Sequence, residues 1–554
     1  MGMNIGLDKV KYKFRLHKKI VFLNVRNNQP MRTYLVYSFS TLRISLLLFF
    51  FLAEGNAQSV RPSEIDSLVE RTMKTFHVPG IAVALIKDGR TILVKGYGVR
   101  SLITKLPTDE NTLFAIASNT KAFTAAALGI LADEGKLTFD DKVIDYIPGF
   151  RLYNPYVTEE FTIRDLLTHR SGMGLGAGDL MIWPEPSLFT REDIIHNLRY
   201  LKPVSGFRTQ YDYDNLLYIV AGEVVARASG MPYEDFIEKR IIQALGMSHS
   251  AACYNNLPDK SNVIDGHVPT QQGLTVVEPG KAEIANAAGG IYSSVTDLSR
   301  WVMMWLNGGY AENGKKMISD AIREELWTPQ TIIPVRNPGP HNTLFGSYGL
   351  GWRISDVMGY KQVGHTGGLM GIVTQVTLIP ALNLGIIVLT NQQSGDAFNA
   401  ISNTIKDRYF GIRGHDRIEE YQLQAQAREA DAAKVLQGVQ AEIAAAGNKA
   451  QGEEAERYSG TFADPWFGKV SIYRQNNRLW FQSEKSPRLK GEMFFYKGNT
   501  FVVQWLDRTL EADAFVLFHL DQNGEAAGMT MKAISPLTDF SYDFQDLSFT
   551  RTGD

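Results

Sequence analysis

The sequence predicts an α/β catalytic unit followed by a small C-terminal β-barrel, and three observations carry that prediction. Strand-like segments stand at both ends of residues 58–412 with helix-like segments between them, so one sheet must be assembled from distant parts of the chain. Residues 413–456 then shift to a composition rich in Ala, Gln and Glu. From Arg457 onward the pattern becomes short apolar runs separated by turn residues.

The elements follow in order. Residues Ile81 to Gly98 (IAVALIKDGRTILVKGYG) place two apolar stretches around Asp88-Gly89. Such a pair accepts the positive φ angles of a two-residue hairpin turn, so a hairpin is predicted. Lys121 to Glu134 (KAFTAAALGILADE) is alanine-rich and helix-favouring, and Gly135 stands where a helix would stop. Leu216 to Ala228 (LLYIVAGEVVARA) reads as a buried helix. Ile372–Pro380 and Asn383–Asn391 read as paired strands joined by a short turn. The stretch EEYQLQAQAREADAAKVLQGVQAEIAAAG predicts an exposed helical linker within 413–456. In 457–554 the runs KVSIY, RLWFQ, TFVVQW, FVLFHL and GMTMKA are spaced by turns such as Asn476-Asn477 and Asn523-Gly524. They predict a β-barrel or sandwich of about 100 residues.

Composition excludes several classes. Hydrophobic residues are 44% and charged residues 21% of 554, an ordinary globular balance for a chain of more than one domain. The first 57 residues hold nine Lys/Arg and two Asp/Glu, leaving 48 basic against 57 acidic residues beyond them, a net of -9. An acidic chain lacks the basic face that nucleic acid requires. The single cysteine, Cys253, rules out an internal disulfide and a multi-cysteine zinc site, and reads as a small buried hydrophobe. The ten histidines are scattered without metal-ligand spacing, so neither a metal nor a cofactor is expected.

The N-terminus reads as an address. Ile44 to Ala53 (ISLLLFFFLA) follows Arg32 and Arg43 and precedes Gly55-Asn56-Ala57, the order of a secretory signal cleaved before Gln58. Ten residues are too few to span a bilayer as a helix, which needs about 20. The expectation is therefore an exported chain, periplasmic or secreted. Met31 is expected as the true start, with residues 1–30 a spurious extension.

Three segments carry chemistry. Ser118-Asn119-Thr120-Lys121 sets a hydroxyl and an amine at i and i+3 at a helix start, on one face and beside positive helix-end potential. A serine needs a base, and a lysine can serve once its pKa is lowered. Taken alone, the motif also fits an N-cap serine with a solvated lysine. Tyr213-Asp214-Asn215 precedes the second helix. A tyrosine near an ammonium can take a proton, and an asparagine amide offers both donor and acceptor. Gly364-His365-Thr366-Gly367-Gly368 enters the Ile372 hairpin, where glycines let backbone approach a ligand. The N–H groups of Gly368 and Ser118 would form an oxyanion hole. Gly172, Gly174, Gly176 and Gly178 alternate in what reads as a flexible rim loop over the cleft.

The ordered set Ser-x-x-Lys, Tyr-x-Asn and His-Thr-Gly resembles the serine beta-lactamase-like superfamily of penicillin-recognising hydrolases, particularly its class C and D-alanyl-D-alanine peptidase branch. The segments HVPGIAVALIKDG, LLTHRSGM (Leu166–Met173), AAGGIYSS (Ala287–Ser294), YGLGW (Tyr348–Trp352) and VGHTGG match the same style over roughly residues 60–410. The C-terminal part resembles the lipocalin-like domain appended to some of these hydrolases. The resemblance implies an antiparallel sheet flanked by helices, with a helical subdomain. It implies Ser118 as nucleophile, Lys121 and Tyr213 as proton carriers, and Asn215, His365, Thr366 and Gly367 as substrate contacts. The implied activity is hydrolysis of small peptides, D-amino-acid amides or esters, with cell-wall peptides among the candidate partners. Beta-lactam hydrolysis and non-catalytic peptide binding are the alternatives. Relatives with beta-lactamase activity usually carry lysine where His365 stands; an imidazole with an ordinary pKa near 6.5 is a weaker carboxylate anchor.

Overall fold

The computed structural model describes residues 60–552 apart from 282, 448, 450 and 451. The expected export signal and extended N-terminus lie outside the described residues. Among the described residues no helix is long and apolar enough to cross a membrane.

Helix α1 (Pro62–Phe76) opens the chain and buries Ile65, Val69, Thr72 and Phe76, one stripe at helical spacing. Strands β1 (Gly80–Lys87) and β2 (Arg90–Gly98) follow. They turn at Asp88 and Gly89 with φ of 52° and 71°, the twin positive angles that the Asp-Gly pair predicts. The helices α2 (Thr120–Asp133), α3 (Leu216–Ser229) and α4 (Val295–Leu306) come next. α2 is buried without a break from Thr120 to Leu131, and Gly135 takes φ 68° just past its end.

The remaining strands of the sheet are β3 (Thr331–Ile333), β4 (Gly346–Tyr348), β5 (Arg353–Val357), β6 (Tyr360–Leu369), β7 (Ile372–Ile379) and β8 (Leu384–Thr390). The eight strands run antiparallel in the order β2-β1-β8-β7-β6-β5-β4-β3. β1 lies beside β8, with Ile81 opposite Thr390 and Val83 opposite Val388, so the two ends of the unit meet at its centre. Alternation along β1 divides two cores. Ala82, Ala84 and Ile86 join the helices on one face, while Ile81, Val83 and Leu85 join α1 and α5 (Gly395–Phe410) on the other. With both faces covered, the central strands read as nearly continuous apolar runs.

Helix α6 (Arg417–Ala446) is 30 residues long and buries only Arg417, Ile418, Ala432 and Val439. Its thin seam meets the next domain where Val439 packs with Val502 and Ile534. The C-terminal unit is a closed barrel of β9 (Gly460–Asp464), β10 (Gly468–Gln475), β11 (Arg478–Ser483), β12 (Lys490–Lys497), β13 (Thr500–Trp505), β14 (Ala514–Leu520), β15 (Ala526–Ala533) and β16 (Ser548–Arg551). Five of the eight carry the apolar runs legible in the sequence. β9, β12 and β16 do not, and β9 closes on β16 by pairing Phe462 with Arg551. The barrel is filled by its own side chains, among them Phe462, Ile472, Phe481, Phe501 and Phe518. Two of its connections, 506–513 and 534–547, reach back to the first unit.

Candidate functional site

The turn Ala117–Asn119 delivers Ser118 to the start of α2. Ala117 holds φ 50°, a left-handed conformation that costs a non-glycine residue about 1–3 kcal/mol and persists only where the surroundings enforce it. Here β6 lies so close to the turn that Gly367 has no room for a Cβ beside the Ile116 carbonyl and the Ala117 methyl. Ser118 is half-buried, and the first turn of α2 sets Lys121 behind it, fully buried. Lys121 Nζ donates to Ser118 Oγ at 3.0 Å, to Asn215 Oδ1 at 2.7 Å and to the Ala288 carbonyl at 3.0 Å. Burial pushes the Lys121 ammonium down to about 7; Asp179 and Asp214 pull it back up, and Arg353 pushes it down.

Tyr213 and Asn215 come from the corner that opens α3. His169 of the LLTHRSGM segment supports that corner: its Nδ1 accepts from the Asp214 N–H at 3.0 Å, and its ring lies 4.2 Å from that of Tyr213. Burial drives His169 well below the ordinary imidazole pKa, which suits an accepting nitrogen. The Asp214 carboxyl accepts from Leu217 N at 3.3 Å and Ser171 Oγ at 3.4 Å, and burial pushes it up to about 7. The Tyr213 ring lies 4.9 Å from Lys121 Nζ. Burial raises the Tyr213 phenol, while its hydrogen bond to Ser118 pulls it back. Asn215 gives its oxygen to Lys121 and one amide hydrogen to Asp179 Oδ2 at 2.7 Å. An NH2 group carries two hydrogens, so one is left for a ligand.

These groups face a cavity of about 580 Å³, lined by Ser118, Tyr213, Asn215, Arg353, Thr366 and Gly368 among others. Thr366 and Gly368 sit on β6 and line the cavity with the serine. His365 also borders the cavity, but both its ring nitrogens are engaged within the protein. Nε2 lies 2.8 Å from the Tyr348 hydroxyl, and Nδ1 donates to the Thr366 carbonyl at 2.6 Å. Burial, with Arg353 and Lys121 nearby, drives its pKa well down, so the ring is neutral. A neutral ring brings no charge to a substrate carboxylate. Gly367 is not among the residues that line the cavity. A Cβ there would stand 2.3 Å from the Ile116 carbonyl oxygen and 2.9 Å from the Ala117 Cβ. Its role is to let β6 close on the serine turn. Gly367→Ala is accordingly expected to lower both thermal stability and the rate at Ser118, measured by melting and by labelling kinetics, because backbone must move to admit the methyl.

The alternating glycines are no free rim. Residues 172–178 are buried except Leu175, and Gly176 N donates to the Tyr213 carbonyl at 2.8 Å. From the barrel, Asp543 accepts from Gly178 N at 2.6 Å and Leu180 N at 3.0 Å. The loop is clamped between the tyrosine corner and the second domain. Three contributions escape sequence reading: Asp179, Arg353, and the barrel residues that wall the cavity, including Leu510, Leu537, Phe540 and Tyr542. A lone Asp or Arg has no pattern to betray it, and nothing local ties residues near 540 to a site near 118. Cys253 is buried, and its burial raises the thiol pKa.

The family model for beta-lactamase matches residues 65–407, and a domain of unknown function, DUF3471, matches residues 445–551. The chain is 28% identical over 397 residues to the unguisins hydrolase ungD of Aspergillus violaceofuscus, covering 66% of this chain and 68% of that protein. It is 27% identical over 349 residues to protein flp of Staphylococcus aureus strain MW2, covering 60% of this chain and 63% of that one. Among solved structures, the octameric penicillin-binding protein homologue from Pyrococcus abyssi superposes with a TM-score of 0.57 at 22% identity, over 88% of this chain and 99% of that chain. A class C beta-lactamase mutant superposes with a TM-score of 0.51 at 22% identity, over 63% and 96%. These structural likenesses speak for the fold. The family match spans more than half of the sequence, and the chain belongs to the beta-lactamase family of serine hydrolases.

Proposed function

We propose that this chain is an exported serine hydrolase that cleaves small peptides, D-amino-acid amides or esters through an acyl-Ser118 intermediate. The observation that carries the reading is Lys121 Nζ at 3.0 Å from Ser118 Oγ beside an open cavity. The signal-like segment at 44–57 supports export.

In this reading Ser118 Oγ attacks the substrate carbonyl carbon while its proton passes to Lys121. An amine brought to about 7 is well matched to that task at neutral pH. The Tyr213 phenol, raised by burial, acts as a hydrogen-bonded relay rather than as the resting base. The tetrahedral oxyanion is held by the N–H groups of Ser118 and Gly368, each such donor worth about 3 to 4 kcal/mol in the transition state. The proton then travels through Tyr213 to the departing amine or alcohol, leaving acyl-Ser118. Water gives a proton to the same pair, attacks the acyl carbon and releases the acid as Ser118 regains its hydrogen.

Arg353 supplies the substrate's charge partner. Its guanidinium lies over the rings of Tyr211 and Tyr213 at 5.6 and 5.8 Å and lines the cavity. A substrate carboxylate would pair with it. A panel of D-Ala-D-Ala peptides, p-nitrophenyl esters with and without a free carboxylate, and nitrocefin tests the reading. Turnover of peptides or esters is the expected result. Arg353→Gln is expected to raise KM about 10-fold or more for the carboxylate-bearing members and to spare the others, the size of one charge-assisted hydrogen bond. Preference for nitrocefin would favour beta-lactam hydrolysis. No turnover of any member would favour a binding protein.

A further inference from the structure

We propose that Asp179 is a positioning residue for Lys121, and that the C-terminal barrel holds it in place through Ser541, so that the barrel completes the active site. This rests on the reading of Ser118 and Lys121 as nucleophile and base.

The chain of contacts is continuous. Ser541 Oγ, in the connection between β15 and β16, donates to Asp179 Oδ2 at 2.8 Å. The same oxygen accepts from Asn215 Nδ2 at 2.7 Å, and Asn215 Oδ1 accepts from Lys121 Nζ at 2.7 Å. Lys121 then meets Ser118. An asparagine amide can face either way, and its two ends have opposite polarity. Asp179 accepts only the NH2 end, so it forces the oxygen toward the lysine. With Asp179 removed, the amide is free to turn its NH2 toward Lys121, repelling the ammonium and breaking the geometry at Ser118.

The barrel fixes Asp179 from more than one side. Asp179 is fully buried, and its Oδ1 has no hydrogen-bond partner, so Oδ2 alone ties the carboxyl to Asn215 and Ser541. Asp543, two residues beyond Ser541, clamps the backbone on either side of Asp179 at Gly178 and Leu180. Phe540, one residue before Ser541, sets its ring edge-on to Tyr213 with centroids 5.7 Å apart. A Cβ on Gly176 would stand 2.7 Å from the Phe540 carbonyl oxygen, so only glycine admits this approach. Three residues of one barrel connection, Phe540, Ser541 and Asp543, thus touch Tyr213, Asp179 and the loop that carries Asp179.

The ionisable groups around this chain are Lys121 from α2, Asp214 before α3, Arg353 on β5 and Asp543 from the barrel, with burial raising both carboxyls and keeping His169 and His365 uncharged. Burial pushes the Asp179 carboxyl up and the Lys121 ammonium down, while each opposes that push on the other, the carboxylate pulling the lysine upward and the ammonium pulling the carboxyl down, so the two titrate as a pair. An amide at 179 keeps an acceptor for Asn215 but loses that pull, so the lysine should deprotonate at lower pH.

The test uses the full chain, with acylation of Ser118 by a fluorophosphonate followed against pH and with kcat and KM on an active ester. Asp179→Ala is expected to slow acylation about 10- to 100-fold with KM little changed, the size of a hydrogen bond to a charged group. Ser541→Ala is expected to slow it about 3- to 10-fold, and Ser541→Thr to restore it. Asp179→Asn is expected to move the rising limb of the pH profile to lower pH, a change that loss of packing alone would not produce. If Asp179→Ala fails to fold, Ser541→Ala and Asp179→Asn carry the test. Wild-type rates and an unmoved pH limb in these variants, with Ser118 still labelled, would overturn the proposal and leave the nucleophile standing. Absence of label on wild-type Ser118 would overturn both.

Discussion

Ser118→Ala is expected to abolish covalent labelling by a fluorophosphonate or a fluorescent penicillin and to lower kcat/KM by at least about ten-thousand-fold, as loss of a nucleophile does in serine hydrolases that work with a base and an oxyanion hole. Ser118 offers the hydroxyl that Lys121 reaches, and no acyl-enzyme forms without it. The fold should be indifferent. Ser118 is half-buried, and Lys121 keeps Asn215 Oδ1 and the Ala288 carbonyl when the hydroxyl goes. A melting temperature close to that of the wild type, with activity gone, separates chemistry from stability. Label persisting on another residue of the alanine variant would show that the nucleophile lies elsewhere.

The second large effect belongs to Lys121. A protonated ammonium cannot take the serine proton, and burial sets Lys121 at about 7. The acylation rate should therefore be low in acid and rise as pH climbs through about 7. His169 and His365 cannot supply this limb, because burial keeps both uncharged well below that pH. Asp214 is pushed up to about 7 and interacts with Lys121, so the observed midpoint belongs to the coupled set. Lys121→Ala should remove the rising limb and cut the rate about 100- to 10,000-fold, the usual contribution of a general base. A rising limb that survives in Lys121→Ala would assign it to another group.

What the chain states locally, it states clearly. Asp88-Gly89 turns a hairpin because both residues accept positive φ. The alanine-rich run after Ser118 becomes α2 because its small side chains fit a helix surrounded by core. Ser118 and Lys121 are legible together because helical spacing puts i and i+3 on one face. Within the barrel, the strands with strong apolar alternation are legible. Lys490–Lys497, whose charges and aromatics alternate poorly, finds its place only between two neighbours.

The site itself is less legible, because most of it is assembled across long separations. That both ring nitrogens of His365 are engaged, by the Tyr348 hydroxyl and the Thr366 carbonyl, is decided by the fold and not by the motif. That Gly367 leaves the space the Ile116 carbonyl needs is likewise visible only in the fold. Asp179 and Arg353 have no motif.

By itself, then, the sequence determined the hairpin, the central helices, the alternation of the later strands and the serine–lysine pair, because each depends on torsional preference or on spacing along one element. The tertiary structure alone decided that β1 lies against β8, that the barrel closes, and that Ser541 reaches Asp179 from 362 residues away. Those pairings depend on burial and on hydrogen-bond partners that exist only once the chain has closed on itself, and a linear pattern holds no record of them.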